Sequence, residues 1–126
     1  MSEQILEFQQ QQQEIQHLYQ SLEQLAQQRS QVAEAIDAIE QIQKVENVEI
    51  LTPLVNGIFF NANLSKVTEF SINVGNGVVV KKSPKETKEL MKSQLEEMDK
   101  MSQELTIDLG KKLEKIQKTE ESLKDV

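Results

Sequence analysis

From Glu3 to Lys44 the chain holds neither glycine nor proline, and its apolar residues recur at alternating steps of three and four. Ile15, Leu18, Leu22, Leu25, Val32, Ile36 and Ile39 take the a and d seats of a heptad, with Arg29 in the slot between Leu25 and Val32. Extended backwards, the same frame seats Phe8 at an a position and Gln11 at a d position. A seam sustained this long predicts a coiled-coil helix, because a 3.5-residue repeat keeps one stripe turned towards a partner helix. At 1.5 Å per residue the helix would run about 60 Å, too long for a small round domain. The Gln9 to Gln13 run lies inside the heptad frame. Glutamine is a good helix former, so the run reads as helix rather than as a low-complexity tract.

The helical period returns from Pro84. Met91, Leu95, Met98, Leu105, Leu109, Ile116 and Leu123 share one a/d frame, and Ser102, Lys112 and Thr119 fill its remaining seats. This second seam is firm at first and polar towards its end, where Gly110 also lowers helix propensity. Two heptad helices of similar length pack most simply as an antiparallel pair, with residue numbers at one level summing to roughly 130 by equal rise. That arrangement would set Arg29 near Ser102 and Phe8 near Leu123. Arg29 then reads either as a register device or as a snorkelling side chain without special role. Loss of apolar seats at Lys112, Thr119 and Gln11 predicts that the last turns fray readily.

Between Asn47 and Lys82 the period changes to two. Val48, Ile50 and Thr52 alternate with other residues, Asn56-Gly57 precedes Ile58-Phe59-Phe60, and Phe70, Ile72 and Val74 alternate with Ser71 and Asn73. Gly75-Asn76-Gly77 then leads into Val78-Val79-Val80. Asn-Gly between β-branched runs is a strong signal for a tight hairpin turn, so the segment reads as four short strands in two hairpins. Pro53 implies an edge position or a bulge. After the last strand, Ser83-Pro84-Lys85-Glu86 supplies an N-cap, a proline at N1 and a capping-box glutamate. The predicted fold class is α+β: a long antiparallel coiled-coil helical hairpin with two β-hairpins inserted between the helices. The expected domain is single and spans 1–126, with helix at 1–45, hairpins at 46–82 and helix at 83–126.

Two hairpins at the end of a rod leave edges and an apolar face uncovered, and small isolated hairpins are barely stable in water. The β segment is therefore expected to join an oligomeric β-barrel body through Ile50, Pro53, Leu54, Phe60, Phe70, Ile72, Val74, Gly75, Gly77, Val78 and Val80.

The net charge of −7 argues against a nucleic-acid partner, since phosphate binding needs clustered Lys and Arg. No cysteine is present, which removes disulfides and thiolate metal sites. The start of the chain lacks the basic and apolar blocks of a secretion signal, and no apolar run approaches membrane-spanning length. A cytoplasmic protein without membrane partner is expected. The single histidine, His17, falls off the seam and reads as a surface residue, and Gly75-Asn76-Gly77 lacks the Lys-Ser/Thr ending of a phosphate loop. No enzyme activity, catalytic residue, cofactor or metal is expected.

The whole pattern of helix, two hairpins and helix, with LTPLVNGIFFNANL followed by FSINVGNGVVVKKSPKET, resembles the α-class subunits of prefoldin, of archaeal type. Thr52-Pro53-Leu54 falls where that family's first hairpin begins, and Val74-Gly75-Asn76-Gly77-Val78-Val79-Val80-Lys81-Lys82 falls on its second. The resemblance implies a hexamer of two α-class and four β-class subunits, a double β-barrel body with six coiled coils, and no nucleotide. It further implies ATP-independent capture of unfolded polypeptides at the tips of the arms and their transfer to a group II chaperonin. Ile5, Leu6, Phe8, Leu113, Ile116 and Leu123 are the candidate client contacts, and seam packing is the other reading of Phe8, Ile116 and Leu123. A structural scaffold, a filament-forming relative or an adaptor for one defined partner is the alternative function.

Overall fold

A computed structural model describes residues 2–124; Met1, Asp125 and Val126, the outermost residues of the expected 1–126 domain, lie outside the described residues. Helix α1 runs Ser2–Gln43, strands β1 to β4 run Val48–Pro53, Phe59–Leu64, Phe70–Gly75 and Val78–Lys82, and helix α2 runs Pro84–Lys124. The chain divides into two compact units, one of Met1–Gln31 with Leu95–Val126 and one of Val32–Gln94.

In the first unit the two helix segments lie side by side and antiparallel. Ile15, Leu18 and Leu109 form a buried cluster, with Leu22, Leu105 and Ile116 packed against it. All are a or d residues of the two frames, so the seam follows the heptad. Helix stability here comes chiefly from that stripe, because propensity alone leaves isolated helices marginal. Two ion pairs mark the levels: Arg29 Nε to Asp99 Oδ1 at 2.7 Å, and Lys112 Nζ to Glu14 Oε2 at 3.2 Å. The paired numbers total 128 and 126, slightly less than the expected 130. Arg29 consequently meets Asp99 rather than Ser102, Ser102 falls at the level of Leu25, and Phe8 falls at that of Thr119. The physical reason lies in antiparallel packing, which interleaves the a seats of one helix with the d seats of the other instead of pairing a with a.

In the second unit β1 pairs with β2 and β3 with β4, both antiparallel, as two separate two-stranded sheets. The first hairpin aligns Ile50 with Ala62 and Thr52 with Phe60. Its turn is closed by the Ile58 N–H donating to the Val55 carbonyl at 2.9 Å, with Asn56 and Gly57 at φ 50 and 75. Both central residues are therefore left-handed, as the type I′ turn requires. The second hairpin repeats this at Asn76 and Gly77, φ 52 and 75. It adds an irregularity between Asn73 and Gly75, where the Gly75 N–H donates to Asn73 Oδ1 at 2.9 Å. Pro53 closes β1 opposite Phe59, in a sheet where every strand is an edge and its missing N–H leaves no ladder gap inside.

Ser83 caps α2 as its sequence predicts. The Glu86 N–H donates to the Ser83 hydroxyl at 3.1 Å, and the Thr87 N–H and hydroxyl both donate to the Ser83 carbonyl at 2.9 and 2.8 Å. Thr87 is thereby buried with its polar atoms satisfied. At the other junction α1 ends in tighter turns, where the Lys44 N–H donates to the Gln41 carbonyl, and Asn47 turns the chain at φ 54.

Candidate functional site

Within the second unit the first hairpin offers water an apolar surface on both faces. Strand alternation sets Val48, Ile50 and Thr52 on one face with Leu64, Ala62 and Phe60, and sets Leu51 and Pro53 on the other with Asn61 and Phe59. Ile50, Leu51, Leu54, Val55, Ile58, Phe59 and Phe60 are all exposed large apolar residues. The second hairpin is one-sided. Phe70, Ile72 and Val80 are half-buried and share a face by alternation, while the reverse face carries Ser71, Asn73 and Lys81 with Val79. Around the turn Val74, Gly75, Gly77 and Val78 are exposed.

The expected interface residues therefore all lie on the two hairpins, eight of them exposed and Phe70, Ile72 and Val80 half-buried. Leu51, Val55, Ile58, Phe59 and Val79 were not among them and are equally exposed. Their signal was legible: Ile50-Leu51, Phe59-Phe60 and Val78-Val79-Val80 are adjacent apolar residues, which in a strand occupy both faces, while Val55 and Ile58 flank the Asn56-Gly57 turn. Strands rich in apolar side chains on both faces, with unpaired edges, are a template for further strands.

In the first unit the candidate client contacts split by heptad position. Ile5, Leu6 and Leu113 lie off the frame and are exposed, at 47%, 64% and 40%. Phe8, Ile116 and Leu123 hold seam seats and are half-buried. Ile5 and Leu6 lie near the start of α1, and Leu113 lies further in, at the level of the Glu14–Lys112 ion pair. Tyr19, Met101 and Ile107 are further exposed residues along the same pair of helices.

The electrostatics of this unit are those of a solvated surface. Asp99 raises the Arg29 pKa further above its already high value, by its hydrogen bond first and its charge second. Both side chains are about half exposed, so the pair orients the helices without fixing them strongly. His17 is exposed and lines an open groove of about 460 Å³ with Glu14, Asp108 and Lys112. Among the described residues no three metal-capable side chains come together, and no helix is long and apolar enough to cross a membrane.

Two heptad helices flanking a pair of β-hairpins define a class of coiled-coil hairpin subunit. The family model for prefoldin subunits matches residues 11–126, and the chain belongs to the prefoldin family. Prefoldin subunit alpha of Thermofilum pendens is 28% identical over 76 residues, a stretch covering 60% of this chain and 59% of that protein. The match thus spans less than two thirds of that relative's length. The family match and this likeness support a subunit of the α type. A chain of filamentous PFD from Methanocaldococcus jannaschii, determined by cryo-EM, is similar with a TM-score of 0.75 and 12% identity, covering 100% of both chains. That similarity shows the fold.

Proposed function

We propose that this prefoldin-type subunit is an ATP-independent chaperone component that captures unfolded polypeptides at the free ends of its helix pair and delivers them to a group II chaperonin. The observation that carries the reading is the exposure of Ile5, Leu6 and Leu113 beside the half-buried Phe8, Ile116 and Leu123. Each contact is weak, and several arms acting together gain affinity by multivalency while each stays loose enough to release. The hairpins supply the assembly: their exposed apolar faces and open edges suit β-class partners, two copies of this chain joining four of theirs in one cytoplasmic hexamer.

The test is suppression of aggregation of several unrelated denatured proteins by the co-assembled complex. Protection of all of them supports capture, and protection of a single one supports an adaptor. Likeness in fold to a chain of a filamentous assembly favours a second reading, in which this chain polymerises through its hairpins as a scaffold. Mass measurement of the chain alone and mixed with a β-class subunit separates the two: growth without limit in the absence of partners supports the scaffold.

A further inference from the structure

Gln11 is only 6% exposed, and neither its side-chain nitrogen nor its oxygen has a hydrogen-bond partner. It occupies the seam seat next to Ile15, towards the start of α1, at the level of the partly buried Ile116. A buried amide without partners forfeits the hydrogen bonds it makes in water, and that loss offsets much of what burying its apolar neighbours contributes. The backbone here is sound by comparison. Helix α1 runs unbroken from Ser2 and α2 unbroken to Lys124, and the glutamines and glutamates around Gln11 are good helix formers. At this level the weak element is the contact between helices, not either helix.

We propose that Gln11 sets where the helix pair parts: beyond it the two helices separate as intact helices when an unfolded polypeptide binds. Separation uncovers the half-buried Phe8 and Leu123 and adds them to the already exposed Ile5 and Leu6. Inward it stops at the Ile15, Leu18 and Leu109 cluster, reinforced by the Glu14–Lys112 ion pair. In the parted state the Gln11 amide meets water or the client's main chain. As both donor and acceptor it suits the unpaired N–H and C=O groups of an extended backbone. The inference rests on the capture reading above, and fraying of the helix ends is its direct competitor.

The chain has no cysteine, so Thr119→Cys, at a half-buried seam seat beyond Gln11, is a unique probe. Its labelling by a maleimide reports parting of the helices, while backbone amide exchange reports unwinding. In the full chain carrying this probe, Gln11→Leu should slow labelling roughly tenfold, the order expected for removing one unpaired buried amide. Gln11→Glu should speed it. Amide exchange over residues 5–10 should change far less in both variants. Capture of guanidine-denatured citrate synthase should fall with Gln11→Leu. Unchanged labelling in Gln11→Leu, or amide exchange that moves in step with labelling, overturns the inference. Slowed labelling with full capture overturns the link to clients. If the unsubstituted protein captures nothing, the capture reading fails instead, and labelling alone still decides whether Gln11 sets the parting.

Discussion

Arg29 holds a seam seat yet turns its guanidinium outward to Asp99, 2.7 Å away on the facing helix. One heptad seat is thus given to an ion pair in water instead of to an apolar layer. Exposed pairs contribute about 0–1 kcal/mol and are screened by salt. Asp99→Asn should therefore change stability by less than about 1 kcal/mol, and the change should vanish in molar salt. Arg29→Leu, which fills the seat with an apolar side chain, should raise stability by about 1–2 kcal/mol. Thermal unfolding followed by circular dichroism at two salt concentrations checks both, and a large, salt-insensitive loss in Asp99→Asn would show that the pair locks the register.

Gly77 sits at φ 75, with open space where a Cβ would project. No clash opposes a larger residue there, so the cost is conformational, on the order of 1–3 kcal/mol for a β-branched side chain held left-handed. Gly77→Val should weaken or abolish co-assembly with β-class subunits while leaving helix content largely intact. Light scattering after size exclusion, read beside far-ultraviolet circular dichroism, decides it. A variant that co-assembles like its parent would remove the second hairpin from the interface.

Deleting residues 1–10 together with 114–126 takes away five of the six candidate client contacts and leaves the hairpins untouched. Assembly should survive and capture of denatured protein should fall, partially while β-class arms remain and fully when all arms are shortened. Undiminished capture with every arm shortened places the binding surface elsewhere, with the exposed Tyr19, Met101 and Ile107 as the next residues to substitute.

Aggregation suppression should be the same with and without ATP and magnesium. The turn at Gly75-Asn76-Gly77 leads into a strand rather than a helix, so no row of helix N-terminal amides stands behind it to cradle a phosphate. Calorimetric detection of micromolar ATP binding to the purified complex would falsify this.

Much of the fold was legible because the signals were periodic. The step of three and four marked the buried stripe from Ile15 to Ile39, and Asn56-Gly57 and Asn76-Gly77 marked both turns through their need for positive φ. Ser83 announced the start of α2. The relative stagger of the helices was not legible to better than about one turn, because equal rise fixes the sum of paired numbers only approximately. Arg29 accordingly meets Asp99, three residues before the expected Ser102. The doubled apolar character of the first hairpin was present in Phe59-Phe60 but escapes a reading that assigns one face per strand. That Gln11 would be buried with nothing to bond was invisible too, since a d seat says where a side chain points and not what awaits it.

Each hairpin stands as a sheet of two strands, so both outer edges are bare and Leu51, Phe59 and their neighbours face water. Bare strand edges and exposed apolar side chains are what mark a misfolded polypeptide. On the function proposed here, a copy made in excess of its partners is chemically a client of the complex it was meant to join. Synthesis of the subunits must then be matched in number, and the first protein that the finished chaperone guards against is its own unassembled part.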